Sequence, residues 1–594
     1  MSGGSLWKVK WDSMRLTDPT GEWIAPRFDY SPIILSYETI AKWEKELSLW
    51  EKSPVIDGYS LWWRIRYQLH MQLQTSLPYA HLIAEIAKGN SRKITRIELD
   101  QPPFPWWKTL FSCFFPNAEI NFLGAISRKT NKSGWKENLL RLRRAIATFH
   151  RMRYFNPRKI KRPSVLILSH ERSWNGEREF YFDTAIQALD QAGFCNVIMA
   201  TAPLSFDQGI RSLKTRHKHN LFTDYITFRH LLKRGYPRRT FAGFPNLKFS
   251  FQGADLSPFI LSLINRIVSQ RFQEHIILSR TFTDILKKLD IKACLMIDEN
   301  GGNHPLKIGC RNYGIPSVAL QHGSIFPGNP AYSFPEFVSP NQVPLCDVTC
   351  VWGQYYKDVL TKQGIYPEEN VVVTGQVQMD HRKKIISKYG ERGSTGESLR
   401  KRLLPSGCDR ILFLTSQYLE QTRNLIADIM LKAFSQSIAR NFLVIRPHPA
   451  ENNPQIFWKQ MISKYSLEDR VLIQSEGSFE DLMDACDIHI SAFSASLNEA
   501  TVFGRYNIIL SKRLFGDFEG RLEAGVAVNL EDFHTLDQAV DFWLEASQEK
   551  IKEFHIKQQK YLLTHFHHLD GKAGERVCKA IIQAMDRNKT DTGF

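Results

Sequence analysis

Two segments of the sequence place polar residues where they could bind an anion. The first follows an apolar run at 442–445 and contains Arg446, His448 and Pro449. A guanidinium, an imidazole and the backbone amides of a helix that begins at Pro449 would together suit a phosphate group. The alternative is a histidine that only caps the edge of a sheet. We expect the phosphate site.

The second segment follows the run at 488–491 and is rich in hydroxyl groups. It contains Ser491, Ser494, Ser496 and Glu499. Hydroxyls and amides at the start of a helix would stabilise a phosphate, and Glu499 could accept a hydrogen bond from a ribose. Ser496 and Glu499 also match the S-x-x-E capping box, which needs no ligand. We expect these four residues to share one donor site with Arg446, His448 and Pro449.

Two further segments carry side chains suited to proton transfer. Asp298 and Glu299 follow the run at 293–297 and precede a glycine turn, where a carboxylate could accept a proton from a hydroxyl group. Adjacent residues of an extended chain point to opposite sides, so only one of the two would face the reacting group. The alternative is an acidic turn exposed to solvent.

His322 lies in the other segment, after the run at 317–320. Its ordinary pKa suits proton transfer near neutrality, and a buried histidine with satisfied hydrogen bonds is the alternative. Gly323 permits close approach of the backbone to a ligand. We expect Gln321 and Gly323 to contact the donor.

All four segments follow apolar runs that alternate with helix-like stretches, which is the pattern of a parallel α/β sheet. The runs are 164–169, 293–297, 317–320, 348–352, 371–374, 410–415, 442–445, 471–474, 488–491 and 507–510. The helix-like stretches include 179–192, 281–289, 354–363, 424–438, 479–485 and 496–503. We therefore predict two open Rossmann-like domains that face one cleft, with ligands at the carboxyl ends of the strands.

Changes in composition suggest boundaries around these domains. We predict a mainly helical, aromatic and basic region at 1–162, an acceptor domain at 163–380, a linker at 381–404, a nucleotide-binding domain at 405–535 and a helical segment at 536–594. With 594 residues, of which 43% are hydrophobic and 23% charged, the chain is long enough for several folded domains.

The net charge of +17 favours anionic partners, and most of it is local. Residues 127–162 hold thirteen Lys or Arg and one acid. Together with the aromatic residues Trp106, Trp107, Phe111, Phe114 and Phe115, this region could contact an anionic membrane surface. The alternatives are that the aromatic residues are core and that the basic segment binds a nucleic acid.

Nine scattered cysteines predict free thiols and a reducing compartment. The amino terminus lacks the apolar stretch of a secretory signal, and no run is long enough to span a bilayer. We expect a cytoplasmic protein, peripheral at the inner face of the cell membrane. No Asp-x-Asp pair, Walker loop or GxSxG motif is present, so we expect neither a metal ion nor a cofactor.

In these segments the sequence resembles GT-B glycosyltransferases that build bacterial surface polysaccharides. The similar enzymes are capsule polysaccharide transferases, sialyl- and polysialyltransferases, Kdo transferases and CDP-glycerol glycerophosphotransferases. The resemblance covers 164–535. It rests on Asp298-Glu299 with Gly301, Gln321-His322-Gly323, Val351-Trp352-Gly353, Val373-Thr374-Gly375 with Asp380, His448-Pro449, and Ser494 with Ser496. Asn300 interrupts the acidic pair and glycine of the sialyltransferase pattern, which leaves open which acid is the base.

The resemblance implies a metal-independent, inverting transfer from a nucleotide-activated sugar, with a CMP-sugar as the first candidate, to a glycan or lipid-linked acceptor. Arg446, His448 and the helix start near Ser496 would stabilise the charge on the departing phosphate. Similarity to glycerophosphotransferases points to His322 as the base, so the base is open among three residues. Three other functions remain: a polyol-phosphate transferase of the CDP-glycerol type, a sugar-nucleotide 2-epimerase, and a nucleic-acid-binding protein that uses 127–162. We do not expect a nucleic-acid partner.

Overall fold

A computed structural model describes residues 5–123, 163–382 and 392–591, with isolated positions 142 and 146. Gaps in these ranges lie at 13–14, 25, 27–30, 91–92, 101–105, 170–172, 176–177, 201–219, 224–225, 229–230, 232–243, 245–246, 298–300, 450, 452 and 475–477. The basic segment 127–162 and its predicted helix therefore lie outside the described residues, apart from the two isolated positions.

The chain forms two compact units. Unit 1 comprises Met1–Pro26, Ser36–Asp380 and Leu569–Phe594. Unit 2 comprises Arg27–Leu35 and His381–His568. The amino-terminal region thus belongs to the same unit as the first Rossmann-like block. The helical segment expected at 536–594 is divided between the two units.

The amino-terminal region combines helices with small sheets. Its strands are β1 (Ser5–Val9), β2 (Trp11–Asp12), β3 (Arg15–Thr17), β4 (Trp23–Ile24), β5 (Val55–Ile56), β6 (Tyr59–Ser60), β7 (Ile94–Asp100) and β8 (Glu119–Leu123). Its helices are Pro32–Leu47, Leu49–Lys52, Trp62–Asn90 and Trp107–Phe114. Strands β1, β7 and β8 form a parallel three-stranded sheet, which the prediction of a mainly helical region did not include.

Unit 1 contains a seven-stranded sheet in the order β13-β12-β9-β16-β17-β18-β19, with all described pairs parallel. The strands after residue 163 are β9 (Ser164–Ser169), β10 (Trp174–Asn175), β11 (Arg178–Glu179), β12 (Cys195–Ala200), β13 (Asn220–Phe222), β14 (Ser250–Phe251), β15 (Ala254–Asp255), β16 (Ile291–Ile297), β17 (Ser317–Leu320), β18 (Val348–Val351) and β19 (Val371–Val373). The helices of this part are Asp183–Gln191, Ser257–Lys288, His304–Asn312, Gln354–Lys362 and Ala573–Asp591.

Unit 2 contains a six-stranded parallel sheet in the order β22-β21-β20-β23-β24-β25. Its strands are β20 (Arg410–Thr415), β21 (Asn441–Arg446), β22 (Val471–Ile473), β23 (Ile488–Ser491), β24 (Tyr506–Ile509) and β25 (Val528–Asn529). Its helices are Ser394–Leu403, Glu420–Ser435, Pro454–Lys464, Phe479–Ala485, Ser496–Val502, Lys512–Phe515, Leu536–Leu544 and Gln548–Phe566.

Alternation along the strands explains why each sheet has a core on both faces. In β9, Val165 and Ile167 join one cluster of buried side chains, whereas Leu166 joins another. In β20, Leu412 and its neighbour Phe413 divide in the same way. Strands buried on both faces read as continuous apolar runs, which is why their positions were predictable. The structure confirms the predicted α/β class and the two successive Rossmann-like sheets of a GT-B architecture.

The aromatic residues of the amino-terminal region are core. Trp106, Trp107, Phe111, Phe114 and Phe115 are all buried, and Trp7 packs edge-on against Phe111 and Phe115. In the structure these five side chains therefore offer no apolar surface to a membrane, and the alternative interpretation as core residues is confirmed.

A glycine allows the long helix Trp62–Asn90 to approach the sheet of unit 1. A Cβ atom at Gly301 would lie 2.6 Å from both the Cα and the carbonyl oxygen of Arg64. Neither backbone atom can move without displacing the helix. Gly301 therefore holds the turn after β16 directly against this helix.

Replacing Gly301 by alanine should destabilise unit 1. The added methyl group overpacks a backbone contact, and we expect the free energy of unfolding to fall by about 1–3 kcal/mol. Thermal unfolding of the purified variant measures the change. Gly89→Ala is the control, since a Cβ at Gly89 meets nothing within 4 Å. Equal melting temperatures for the two variants would contradict the assigned contact.

Candidate functional site

The strand order of unit 2 marks one edge of its sheet as the place where a ligand is expected. Counted along the chain, the six strands have the order 3-2-1-4-5-6, so the direction of winding reverses between β20 and β23. In such sheets, ligands bind outside the carboxyl ends of the strands at this reversal. Thr415 ends β20 and Ser491 ends β23, so these residues lie at that position.

A buried network of hydroxyl groups joins the two strand ends. Thr415 Oγ1 lies 2.9 Å from Ser491 Oγ, 2.9 Å from Ser496 Oγ and 3.1 Å from His489 Nε2. All four side chains are buried, and His489 and Ser491 are fully so. Ser491 and Ser496 therefore hydrogen-bond within the protein in this structure.

His489 is neutral in this network. Burial lowers its pKa to about 4, partly offset by the hydrogen bond with Asn507. Its Nδ1 lies 3.0 Å from Asn507 Oδ1, while the Asn507 amide nitrogen donates to Leu497 O and Thr501 Oγ1. Since Asn507 Oδ1 is an acceptor, Nδ1 of His489 carries the proton and Nε2 accepts from the hydroxyl network.

Arg446 ends β21 and His448 follows it by two residues, but neither lies at the start of a helix. The next helix begins at Pro454, and Pro449 lies in an exposed turn, so the expectation that Pro449 opens the helix was wrong. The backbone N–H of His448 donates to the carboxylate of Glu451 at 2.7 Å. An internal carboxylate therefore binds an amide that we had assigned to a phosphate.

The side chains of this segment nevertheless form a polar surface. Arg446 is half-buried, and its guanidinium donates to Gln474 O at 3.0 Å. Burial lowers the pKa of Arg446, although an arginine remains cationic in proteins. The imidazole of His448 lies 5.2 Å from the Tyr418 ring, which reaches this edge from the loop after β20. Arg446 and His448 therefore place a cation and an imidazole beside the carboxyl edge of the sheet.

Ser494 precedes the short helix Ser496–Val502, Glu499 lies in its first turn, and both are half-buried. Ala495 precedes this helix with no side-chain cap, so the predicted S-x-x-E capping box is not formed. Ser494 Oγ instead accepts from the Ser496 amide at 3.2 Å. The amide expected to bind phosphate therefore has a partner in the chain.

In unit 1, Gln321 connects the ends of two strands. Its Oε1 accepts from the Trp352 amide at 2.9 Å, its backbone oxygen accepts from Trp352 Nε1 at 3.0 Å, and its Nε2 donates to Gly323 O at 2.9 Å. Gln321 is buried. Its hydrogen bonds give it a structural role, and its contact with a donor stays a prediction. A Cβ at Gly323 would meet nothing within 4 Å, so packing does not require a glycine there.

His322 is exposed at the carboxyl edge of the same sheet. Its ring lies edge-on to that of Tyr181, with the ring centres 5.1 Å apart. The exposed position suits contact with a substrate and argues against the alternative of a buried histidine. Its role as a base stays a prediction.

Glu179 precedes Tyr181 by two residues, and the sequence analysis did not identify it as a candidate functional residue. Its carboxylate accepts from Ser169 Oγ at 2.9 Å and from the amides of Tyr181 at 2.7 Å and Phe182 at 2.6 Å. Its side chain is only 2% exposed, and burial raises its pKa to about 7 despite these hydrogen bonds. Glu179 can therefore hold a proton near neutral pH. It lies two residues before Tyr181, whose ring contacts that of His322.

Asp298 and Glu299, the other candidates for the base, lie outside the described residues. The turn that follows them is fixed by Gly301 and by Asn303, whose amide donates to Ile297 O at 2.6 Å.

Asp380, which also contributed to the resemblance, binds the last helix of the chain. Its carboxylate accepts from the amides of Ala573 and Gly574, both at 2.9 Å, and from Thr184 Oγ1 at 2.7 Å. The structure gives this residue the role of a helix cap.

Sequence reasoning missed Thr415, Tyr418, Glu451 and Glu179. The rule that ligands bind after strand ends could have identified Thr415 and Tyr418, because the run at 410–415 was predicted correctly. No local pattern indicated Glu179, which lies in a short ribbon predicted as the start of a helix. Among the described residues, no cluster of His, Cys, Asp or Glu could hold a metal ion, and no helix there could span a membrane. All nine cysteines are free, as predicted.

No family model matches this sequence, and no curated protein is significantly similar to it. Similar solved structures include a Neisseria meningitidis UDP-GlcNAc 2-epimerase bound to UDP-GlcNAc, at 14% identity over 71% of this chain and 100% of that chain, with a TM-score of 0.43. A Rickettsia bellii UDP-N-acetylglucosamine 2-epimerase has 11% identity, coverage of 72% and 98%, and a TM-score of 0.44. A Rickettsia africae glycosyltransferase has 12% identity, coverage of 71% and 99%, and a TM-score of 0.44. These similarities concern the fold and do not identify the reaction.

Replacing Thr415 by valine should destabilise unit 2. The change leaves buried polar atoms of His489, Ser491 and Ser496 without their shared partner, at a cost of about 1–3 kcal/mol. Chemical denaturation followed by circular dichroism measures it. Thr415→Ser keeps the hydroxyl group and serves as the control. If serine and valine had the same effect, the hydroxyl network would not be what stabilises this edge.

Glu179 should make unit 1 less stable as the pH rises. Its pKa is about 7 in the folded protein and 4.5 ordinarily, so the folded state holds this proton more tightly. The stabilisation is complete below about pH 4.5 and is lost as the pH passes 7, on the order of 3 kcal/mol. In Glu179→Gln the melting temperature should fall less between pH 5 and 7.5 than in the wild type. Glu368→Gln, at an exposed site, should follow the wild type.

Proposed function

We propose that the protein binds a nucleotide-activated sugar at the carboxyl edge of the unit 2 sheet and cleaves the bond between the anomeric carbon and the phosphate. The observation that carries this proposal is the position of Arg446 and His448 at the end of β21, beside the reversal between β20 and β23. Crevices at such reversals are the usual nucleotide sites of doubly wound sheets.

The two side chains suit the departing nucleotide. As the sugar–phosphate bond breaks, negative charge grows on the phosphate oxygens. A fixed guanidinium and an imidazole stabilise that charge without reorganisation of solvent. Glu451 already holds the His448 amide, so the proposal assigns phosphate binding to side chains and not to backbone groups. The exposed Tyr418 ring offers a surface on which a nucleotide base or sugar could pack.

Two reactions break this bond. In inverting glycosyl transfer, a base takes the proton of an acceptor hydroxyl on a glycan or lipid-linked acceptor while its oxygen attacks the anomeric carbon and the nucleotide leaves. In 2-epimerisation, which acts on the nucleotide sugar alone, the base takes the C2 proton as the nucleotide leaves, and return of a proton to the opposite face of C2 with re-addition of the nucleotide gives the epimer. We assign the base of either reaction to unit 1, where His322 is exposed beside Tyr181 and where Asp298 and Glu299 follow β16. The narrower resemblance to sialyl- and Kdo transferases, the preference for a CMP-sugar and contact with an anionic membrane stay predictions.

The first experiment measures ligand binding to the full chain by isothermal titration calorimetry. UDP-GlcNAc is the first ligand to test because the similar Neisseria meningitidis epimerase structure is bound to it. CMP-, CDP- and GDP-sugars are tested next. Arg446→Ala should weaken binding about tenfold or more, as expected for loss of a hydrogen bond to a charged group. Arg440→Ala is the matched control, since Arg440 precedes the same strand at its opposite end. If both variants bound equally well, the nucleotide site would lie elsewhere.

The second experiment separates the two reactions. The protein is incubated with the nucleotide sugar that it binds, and the products are followed by proton NMR. Formation of the C2 epimer without an acceptor would identify an epimerase, whereas turnover only after addition of an oligosaccharide would identify a transferase. His322→Ala should reduce turnover at least tenfold with little change in nucleotide affinity. Unchanged turnover would assign the base to Asp298 or Glu299.

A further inference from the structure

Unit 2 contains a cavity far along its sheet from the nucleotide edge. The cavity has a volume of about 330 Å³ and lies where β24 and β25 begin, because Tyr506 and Val528 are the first residues of these strands. Arg446 is at the carboxyl end of β21, which is the opposite edge of the parallel sheet. A ligand in this cavity would therefore not occupy the proposed nucleotide site.

The wall of the cavity is apolar and rigid. Tyr506 and Trp543 stack with ring centres 4.7 Å apart, and Phe554 lies edge-on to Trp543 at 4.7 Å. These three rings are buried and belong to the main core cluster of unit 2. The space is open to solvent on one side, and a largely apolar recess of this size with a few polar groups is typical of a ligand site.

The mouth of the cavity is positively charged. Lys550, Glu553 and Lys557 line it from one helix and are all exposed. Lys557 pairs with Glu553 at 2.6 Å, and its stem packs against Gly525. Among the described residues, no carboxylate lies within ion-pair distance of Lys550, whose ammonium lies 5.7 Å from the centre of the Phe542 ring. Glu553 interacts electrostatically with both lysines, since both lower the pKa of its carboxyl group, and the three residues together carry one net positive charge.

We propose that this cavity binds an amphiphilic anion: an unbranched acyl chain of roughly eight to twelve carbons that ends in a carboxylate or phosphate. The volume of about 330 Å³ lies at the small end of the range for ligand pockets, which suits a single short chain. The chain packs against Tyr506, Trp543 and Phe554, and the charged end meets Lys550. This proposal is independent of the proposed function.

Isothermal titration calorimetry of the full chain with sodium decanoate tests the proposal, at concentrations below micelle formation. We expect one saturable site with a Kd below about 1 mM. Decyltrimethylammonium has the same chain and the opposite charge, and it should bind at least fivefold more weakly. Absence of saturable decanoate binding, or equal binding of the two amphiphiles, would overturn the proposal.

Two variants locate the site. Ala546 lines the cavity, and Ala546→Trp should fill it and weaken decanoate binding more than tenfold. Lys550→Glu changes an exposed residue and should weaken binding about two- to fivefold. Lys552→Glu, on the same helix but not in the cavity wall, is the matched control. Wild-type affinity in both Ala546→Trp and Lys550→Glu, or a Lys552→Glu effect as large as that of Lys550→Glu, would overturn the assignment. If Ala546→Trp does not fold, the two lysine variants decide.

Two further measurements exclude other occupants. Decanoate should bind with unchanged affinity when the protein is saturated with whichever nucleotide sugar calorimetry shows it to bind, and competition would contradict a site at the opposite edge of the sheet. Phosphatidylglycerol vesicles present the same chemistry as a lipid surface. Sedimentation with vesicles in the absence of decanoate binding would show a membrane-docking surface and overturn the proposal of a cavity for single chains.

Discussion

The hydroxyl group of Thr415 is the point on which the carboxyl edge of unit 2 depends. It joins the ends of β20 and β23, the two strands between which the sheet reverses its winding. Buried polar groups must find partners, and here a neutral histidine and two serines find them in a single side chain. The loops that follow β20 and β23 are held at this edge as a result. Arg446 and His448 approach the same edge from β21.

Most of the strands that position the site could be predicted from the sequence. Strands such as Ser164–Ser169 and Ile488–Ser491 were located to the residue because burial on both faces leaves a continuous apolar run. Cys195–Ala200 and Val528–Asn529 were missed, since the first is interrupted by a polar residue and the second has two residues. The ends of strands could therefore be predicted only for those strands that the sequence analysis had located.

The chemistry at those ends was less predictable, because a sequence does not show which polar groups pair with each other. The hydroxyl groups of Ser491 and Ser496 are of the kind found in phosphate sites, but in this structure they hydrogen-bond to Thr415. The amide of His448 is bound by Glu451, three residues further along. Glu179 has an ordinary sequence context, and only its burial makes its proton affinity unusual. Arg446 and His322 keep the positions that their sequence context indicated.

The helix Ala573–Asp591 has a consequence for how the chain is made. Val577 and Ile581 complete the core on one face of the unit 1 sheet, and Asp380 holds the start of this helix. The strands of the unit 1 sheet all precede residue 374, and the helix Asp183–Gln191 covers part of this face, but the core there is complete only after residues 573–591 are made. Residues 381–568 of unit 2 are translated in that interval. During synthesis, most of the second unit is therefore available to fold while the core of the first still lacks one of its helices.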